Sequence, residues 1–328
     1  MDDVNADVMD VDLSAKIGTI SLKNPIILAS GPKGGKSGEG MKKFAKAGWA
    51  CVVAKTVSKE PSKGFPNPTI VNFSPYYTIN AQGGPGPGYL AFAKEVRIAK
   101  EGGVPVFVSI AAPSPEEFIL IGKHLIEAGA DGIEVNASCP HTPGRAKWSS
   151  SSESLEVLIK SIRQAIEKPI WVKLPSVRMA DIPRLAEAAA RGGADAIIPF
   201  NTVPAMSIDI DTGKPRVGNP HGIGSLSGKA VKPMGIRAVL DAVRVVDIPI
   251  IGVGGIEDGH DVIEYLMAGA SAVQIHTKAM WEGEGVIHKI LDETKQFMIQ
   301  KNYRSIRDIV GLTLQYVPKL PFSYIEEL

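Results

Sequence analysis

Cys139 stands in the string Asn136-Ala137-Ser138-Cys139-Pro140-His141, just past an apolar run. A thiol there can exchange a proton near neutrality if its neighbours lower its pKa. Without such neighbours a lone cysteine is more often a small buried hydrophobe. The polar loop and the following proline favour chemistry at Cys139, whereas Cys51, inside Cys51-Val52-Val53, reads as structural. Two lysines also end apolar runs: Lys55 after Val52-Val53-Ala54, and Lys173 after Ile170-Trp171-Val172. A desolvated lysine so placed is either a Schiff-base nucleophile or a fixed cation stabilising negative charge on a bound ring. The bland reading of each is a side chain whose tip reaches solvent. Gly252-Val253-Gly254-Gly255-Ile256 precedes a helix expected to begin near Asp258. Its glycines would let backbone N–H groups approach a phosphate, with help from the helix dipole. Alone, the same string is only a tight turn, and no acidic residue completes a dinucleotide-binding unit. No histidine pair has metal-ligand spacing with a carboxylate, so no metal site is expected.

The elements that must carry these residues form an internal repeat. Four strands are expected behind a proline, at Pro25, Pro105, Pro169 and Pro249, where the missing N–H removes no ladder donor. Four more follow a small-residue turn, at Gly48, Gly129, Gly193 and Gly269, where glycine suits the left-handed position after a helix. The two kinds alternate, and helical spacing, as over Pro115 to Ala128 and Asp181 to Arg191, fills the gaps. Short strands that are apolar nearly throughout are those of a covered parallel sheet. Eight units in 328 residues predict an α/β fold, a closed (β/α)8 TIM barrel over residues 1–328, in preference to an open doubly wound sheet. Leu13 to Leu22 reads as an N-terminal hairpin capping the opposite end, and the chain after about Asn302 as a tail outside the barrel. The long connections Val57 to Leu90 and Val203 to Gly228, after strands 2 and 6, are expected to form lids or walls.

Strand tips then read Ala29-Ser30-Gly31, Lys55-Thr56, Ser109, Asn136, Lys173, Asn201-Thr202, Gly254-Gly255 and His276-Thr277. One polar tip is turn chemistry; a ring of them is a ligand site. No Asp or Glu stands at a tip, which disfavours carboxylate catalysis. Charge is balanced, 36 Lys+Arg against 35 Asp+Glu, so nucleic acid and anionic membranes are poor partners. Two cysteines cannot build a disulfide framework or an iron–sulfur cluster. The acidic start and the lack of a long apolar run predict a cytoplasmic protein without a signal peptide or membrane span.

These pieces, together with Asn24-Pro25, Asn80, Val172-Lys173-Leu174 and Gly224-Ser225-Leu226-Ser227-Gly228, resemble the cytosolic class of dihydroorotate dehydrogenases from about Asn24 to Thr277. The resemblance implies FMN, held by the tip residues with Ser227 and Gly228, its phosphate on the strand-7 and strand-8 loops. It implies a planar cyclic substrate bound by Asn80, Asn136, His141, Asn201 and Thr202, amides and hydroxyls being able both to donate and to accept. Cys139 would be the proton-transfer residue, Lys173 the cation at the flavin N1/O2 edge, and Lys55 a contact to both molecules, with hydride passing to flavin N5. It implies a homodimer, and leaves the electron acceptor open between fumarate, NAD through a separate iron–sulfur/FAD subunit, and another carrier. Quinone-dependent members carry serine as base and a membrane helix pair, neither of which is seen here. His141 after Cys-Pro is similar to dihydropyrimidine dehydrogenases, which makes uracil or thymine the alternative ring. His276 replaces a common glycine, and Ser149 to Ser152 occupy a loop that is usually glycine-rich. A flavin-free Schiff-base lyase is the remote alternative.

Overall fold

The structure, a computed structural model, describes residues 10–73, 75–137 and 146–317. Eight parallel strands form the central sheet: β1 (Ile26–Leu28), β2 (Cys51–Val57), β3 (Val106–Ile110), β4 (Gly132–Asn136), β5 (Ile170–Lys173), β6 (Ala196–Ile198), β7 (Ile251–Val253) and β8 (Ala272–Ile275). Each pairs with its neighbour in the chain, and β8 returns to β1. The remaining seam, between β6 and β7, is a parallel bridge from Ile197 to Ile250, so the cylinder is closed. The expected (β/α)8 barrel is therefore the observed architecture.

The repeat acquires a physical reason. The carbonyls of Pro25, Pro105, Pro169 and Pro249 each accept a hydrogen bond from the adjacent strand, from Val273, Val52, Ile133 and Ile197 respectively. A proline thus begins a strand as an acceptor only, which costs the ladder nothing. Gly48, Gly129, Gly193 and Gly269 all have φ between 98° and 118°, a region that penalises any side chain. Asp131 and Asp195 repeat one device. Each carboxylate accepts from the first strand residue after a proline, Val106 or Ile170, at 2.7 Å, and also from Lys100 or Arg163.

Helices cover the outside, among them α1 (Gly38–Lys46), α2 (Tyr89–Lys100), α3 (Pro115–Glu127), α4 (Ser152–Ala165), α5 (Ile182–Arg191), α6 (Lys232–Val243), α7 (Gly259–Met267), α8 (Thr277–Glu282) and α9 (Val286–Gln300). Side chains of Ser37, Ser114, Ser151 and Asp258 accept N-terminal backbone bonds of α1, α3, α4 and α7. The serine run noted in the sequence thus supplies a helix cap. Inside the barrel, Phe107 and Trp171 stack with ring centroids 3.5 Å apart, and a Cβ on Gly132 would meet the Phe107 ring at 2.4 Å. Strand alternation puts these residues one layer below Ser109 and Lys173, and both rings are fully buried there.

The hairpin is Ala15–Ile17 paired with Ile20–Leu22 around left-handed Gly18. The residues after Asn302 form short turns; Ile306 and Ile309 are buried, and Gly311 donates to the Leu266 carbonyl of α7. The two long connections do more than flank the mouth. Ile70–Phe73 and Tyr77–Asn80 from one, with Val203–Ala205 and Gly224–Ser227 from the other, form a single four-stranded antiparallel sheet.

Candidate active site

A cavity of about 230 Å³ opens at the strand C-termini, walled on one side by that antiparallel sheet. Ala29, Ser30, Gly31, Lys55, Thr56, Asn136, Lys173, Asn201, Thr202, Gly254, Gly255, His276 and Thr277 line it, with Asn80, Ser227 and Gly228 from the sheet and its following turn. Ser109 does not. It pairs with Glu134, one layer below Asn136, and is fully buried. Its hydroxyl lies 3.0 Å from Thr56 Oγ1, which also accepts from Asn136 Nδ2 at 3.3 Å. Ser109 therefore orients wall residues from behind. Cys139 and His141 lie outside the described residues. Cys51 is buried in β2, and burial pushes its thiol well above the usual range, as its structural reading requires.

The floor holds a buried polar chain that the sequence reading passed over. Lys173 Nζ donates to Gln274 Oε1 at 2.9 Å, and Gln274 Nε2 donates to Glu134 Oε2 at 2.8 Å. Glu134 Oε1 lies 3.8 Å from Nζ and has no hydrogen-bond partner among the described residues. The expectation that carboxylates are absent holds for the tips alone: Glu134, one layer down, and Glu257, after the glycine turn, both line the cavity. A signal existed. Glu134 stands two residues before Asn136 in an otherwise apolar strand, hence on the same inward face, where a charge needs a partner. Gln274 bears the same relation to His276.

Gly254 and Gly255 have φ of 117° and 68°, and a Cβ on Gly255 would fall 2.8 Å from the Gly228 carbonyl oxygen. Only glycine makes this turn against the Ser227-Gly228 segment, where Thr277 Oγ1 donates to Ser227 Oγ at 2.9 Å. α7 begins where expected, with Asp258 as its cap. Its N-terminus, however, is already occupied: Glu257, Gly259 and Asp261 N–H groups donate to Asp261, Glu293 and Asp258 carboxylates. The dipole contribution expected from this helix is thus spent internally, and the glycine turns remain as the anion cradle.

His276 packs its ring where a Cβ on Gly31 would sit, 2.4 Å away. Neither ring nitrogen has a hydrogen-bond partner among the described residues. Burial, and then the charge of Lys173, push its pKa down to about 4, and the Ala29 backbone opposes this only in part. His276 is thus a neutral imidazole on the wall. Burial raises the carboxyl of Glu257, against the pull of Lys229 and Lys278. In the sheet, Asn80 Nδ2 donates to the Ser225 carbonyl at 3.1 Å, and Asn201 Oδ1 accepts from the Thr202 N–H at 2.9 Å. Asn80 comes from the antiparallel sheet and Asn201 from the tip of β6, and both line the one cavity.

A buried ammonium, neutral polar side chains and a glycine cradle suit a planar molecule that gains negative charge and carries an anionic tail. Among the described residues no cluster of His, Cys, Asp and Glu is placed to hold a metal ion, and no helix is long and apolar enough to cross a membrane.

The family model for dihydroorotate dehydrogenase matches residues 12–298. The catalytic subunit of dihydroorotate dehydrogenase B (NAD(+)) from Methanocella arvoryzae is 40% identical over 306 residues, covering 93% of this chain and 99% of that protein. Its counterpart from Pyrococcus horikoshii is 41% identical, covering 92% and 98%. Among solved structures, DHODH from Eimeria tenella in complex with ferulenol superposes with a TM-score of 0.79, covering 96% of this chain and 91% of that one; at 23% identity the likeness is one of fold. The chain belongs to the dihydroorotate dehydrogenase family, oxidoreductases that act on CH–CH groups.

Proposed function

We propose that the chain oxidises (S)-dihydroorotate to orotate with FMN in the barrel-mouth cavity. The observation that carries this reading is the buried Lys173 ammonium in a cavity that the Gly254-Gly255 and Gly228 turns also line. The donor set fits the cofactor: Gly254, Gly255, Gly228 and Thr277 would hold the phosphate, Lys173 the pyrimidine edge of the ring, and His276, whose ring nitrogens have no partner among the described residues, could hydrogen-bond to the bound group. When bound, FMN supplies the two-electron acceptor.

The chain's own residues supply the rest. Asn80, Asn136, Asn201 and Thr202 pair with a ring that alternates carbonyls and N–H groups. Cys139 takes the proton from the carbon next to the substrate carbonyl, and returns it in the reverse direction. Lys173 carries a fixed positive charge where the ring becomes negative. Its hydrogen bond to Gln274 and its place beside Glu134 suit a held cation better than the nucleophile of a Schiff-base lyase. The relatives named as NAD(+) catalytic subunits support a separate iron–sulfur/FAD subunit as electron acceptor, since this chain has only two cysteines. The same names favour dihydroorotate over uracil or thymine.

The test is anaerobic mixing of the purified yellow protein with dihydroorotate and, separately, dihydrouracil. Bleaching of the flavin by dihydroorotate is expected, and a Cys139→Ser variant should retain flavin but bleach far more slowly. Bleaching by dihydrouracil alone would move the assignment to a pyrimidine reductase.

A further inference from the structure

The donor and acceptor inventory of the cavity floor admits one arrangement. A lysine ammonium only donates, so the Gln274 oxygen must face Lys173. The Gln274 amide nitrogen is thereby turned onto residue 134, which has to accept. Glu134, Gln274 and Lys173 are 0%, 1% and 5% exposed, so bulk water cannot substitute for any of these partners. Lys173 faces the cavity, and Glu134 is its buried countercharge.

We propose that Glu134, acting through Gln274, is a positioning residue that holds the Lys173 ammonium at the cavity wall and sets the net field felt by a bound ring. This deepens the flavin reading above and rests on it. A flavin ring that accepts two electrons and one proton gains one negative charge. Lys173 alone would pull that equilibrium strongly toward the reduced ring, because screening is weak in a water-excluded site. The Glu134 charge opposes the pull and leaves the reduced ring able to pass electrons on. In this respect the carboxylate lowers the affinity of the site for electrons while its hydrogen bond improves the geometry.

Glu134→Gln separates the two effects, since it keeps the size of the side chain and an acceptor for Gln274 but removes the charge. In the holoenzyme the midpoint potential should rise by at least about 30 mV, a tenfold gain in the reduced-to-oxidised ratio for a two-electron couple. Flavin stoichiometry should match that of the wild type. A potential that is unchanged or lowered in a variant still holding flavin overturns the proposal. Glu134→Met, of similar volume but unable to accept, should raise the potential and also weaken flavin retention in an apoprotein titration; wild-type values for both would overturn the coupling through Gln274. Loss of flavin from both variants with the circular dichroism intact would also overturn it, by reducing Glu134 to a scaffold role. A wild-type protein that binds no flavin would instead defeat the cofactor assignment itself.

Discussion

The two ends of this barrel treat polar groups in opposite ways. Where the strands begin, Asp131 and Asp195 each accept from a backbone N–H and a basic side chain, and the proline carbonyls start the ladder. Where the strands finish, His276 has two unpartnered ring nitrogens and Glu134 and Glu257 each have an unpartnered carboxyl oxygen among the described residues. Leaving a buried polar group unpaired costs roughly 1–3 kcal/mol, so the second end is maintained at a cost to stability. A ligand that supplies the missing partners recovers it, whereas the Asp131 and Asp195 carboxylates need none. In this comparison the satisfied carboxylates belong to the scaffold, and His276, Glu134 and Glu257 line the cavity.

Substitutions at the two ends should therefore separate activity from stability. The largest effect is expected for Lys173→Ala: flavin reduction by dihydroorotate should slow by about 10²–10³-fold, the usual loss when a preorganised charge is removed from a reacting centre. Stopped-flow bleaching measures this, and wild-type kinetics would erase the distinction between the ends. Next, Asp195→Ala strips the acceptor from the Ile170 N–H and from Arg163, and should lower unfolding free energy by about 3 kcal/mol. Its flavin content and reduction kinetics should stay at wild-type values once folded; a proportionate loss of turnover would show that the ends are coupled.

The smallest effect is a pH dependence. His276 has a folded-state pKa of about 4 against an ordinary 6.5, so the unfolded chain binds the proton first. Stability from this group is complete above pH 6.5 and is lost as pH falls toward 4, by about 2 kcal/mol at pH 5. The apoprotein should thus lose more stability between pH 7 and pH 5 than His276→Gln does in the same chemical denaturation series. Equal slopes would remove His276 from the set of orphaned groups that define the mouth.

Much of the barrel was legible because its signals are local. Each proline or glycine acts on its own φ or its own N–H, and the alternation of these residues is written along the chain. The site was legible in part for the same reason, since strand tips such as Lys173 and Asn201 follow directly from strand ends. Ser109 was misplaced by a single layer, because the depth of a side chain in a barrel depends on register with the next strand. Glu134 and Gln274 were missed because an apolar run conceals a polar residue whose partner is 140 positions away.

The sequence by itself determined the eight-fold alternation, the strand entries, the helix caps and the residue types available at the mouth. All of these rest on backbone conformation and hydrogen bonding within a few positions. The tertiary structure alone decided that the two long connections pair as one sheet wall, that the α7 N-terminus is already occupied, and that Lys173, Gln274 and Glu134 form one buried chain. Such outcomes depend on which distant groups closure of the cylinder brings within hydrogen-bond reach, and no local spacing encodes that.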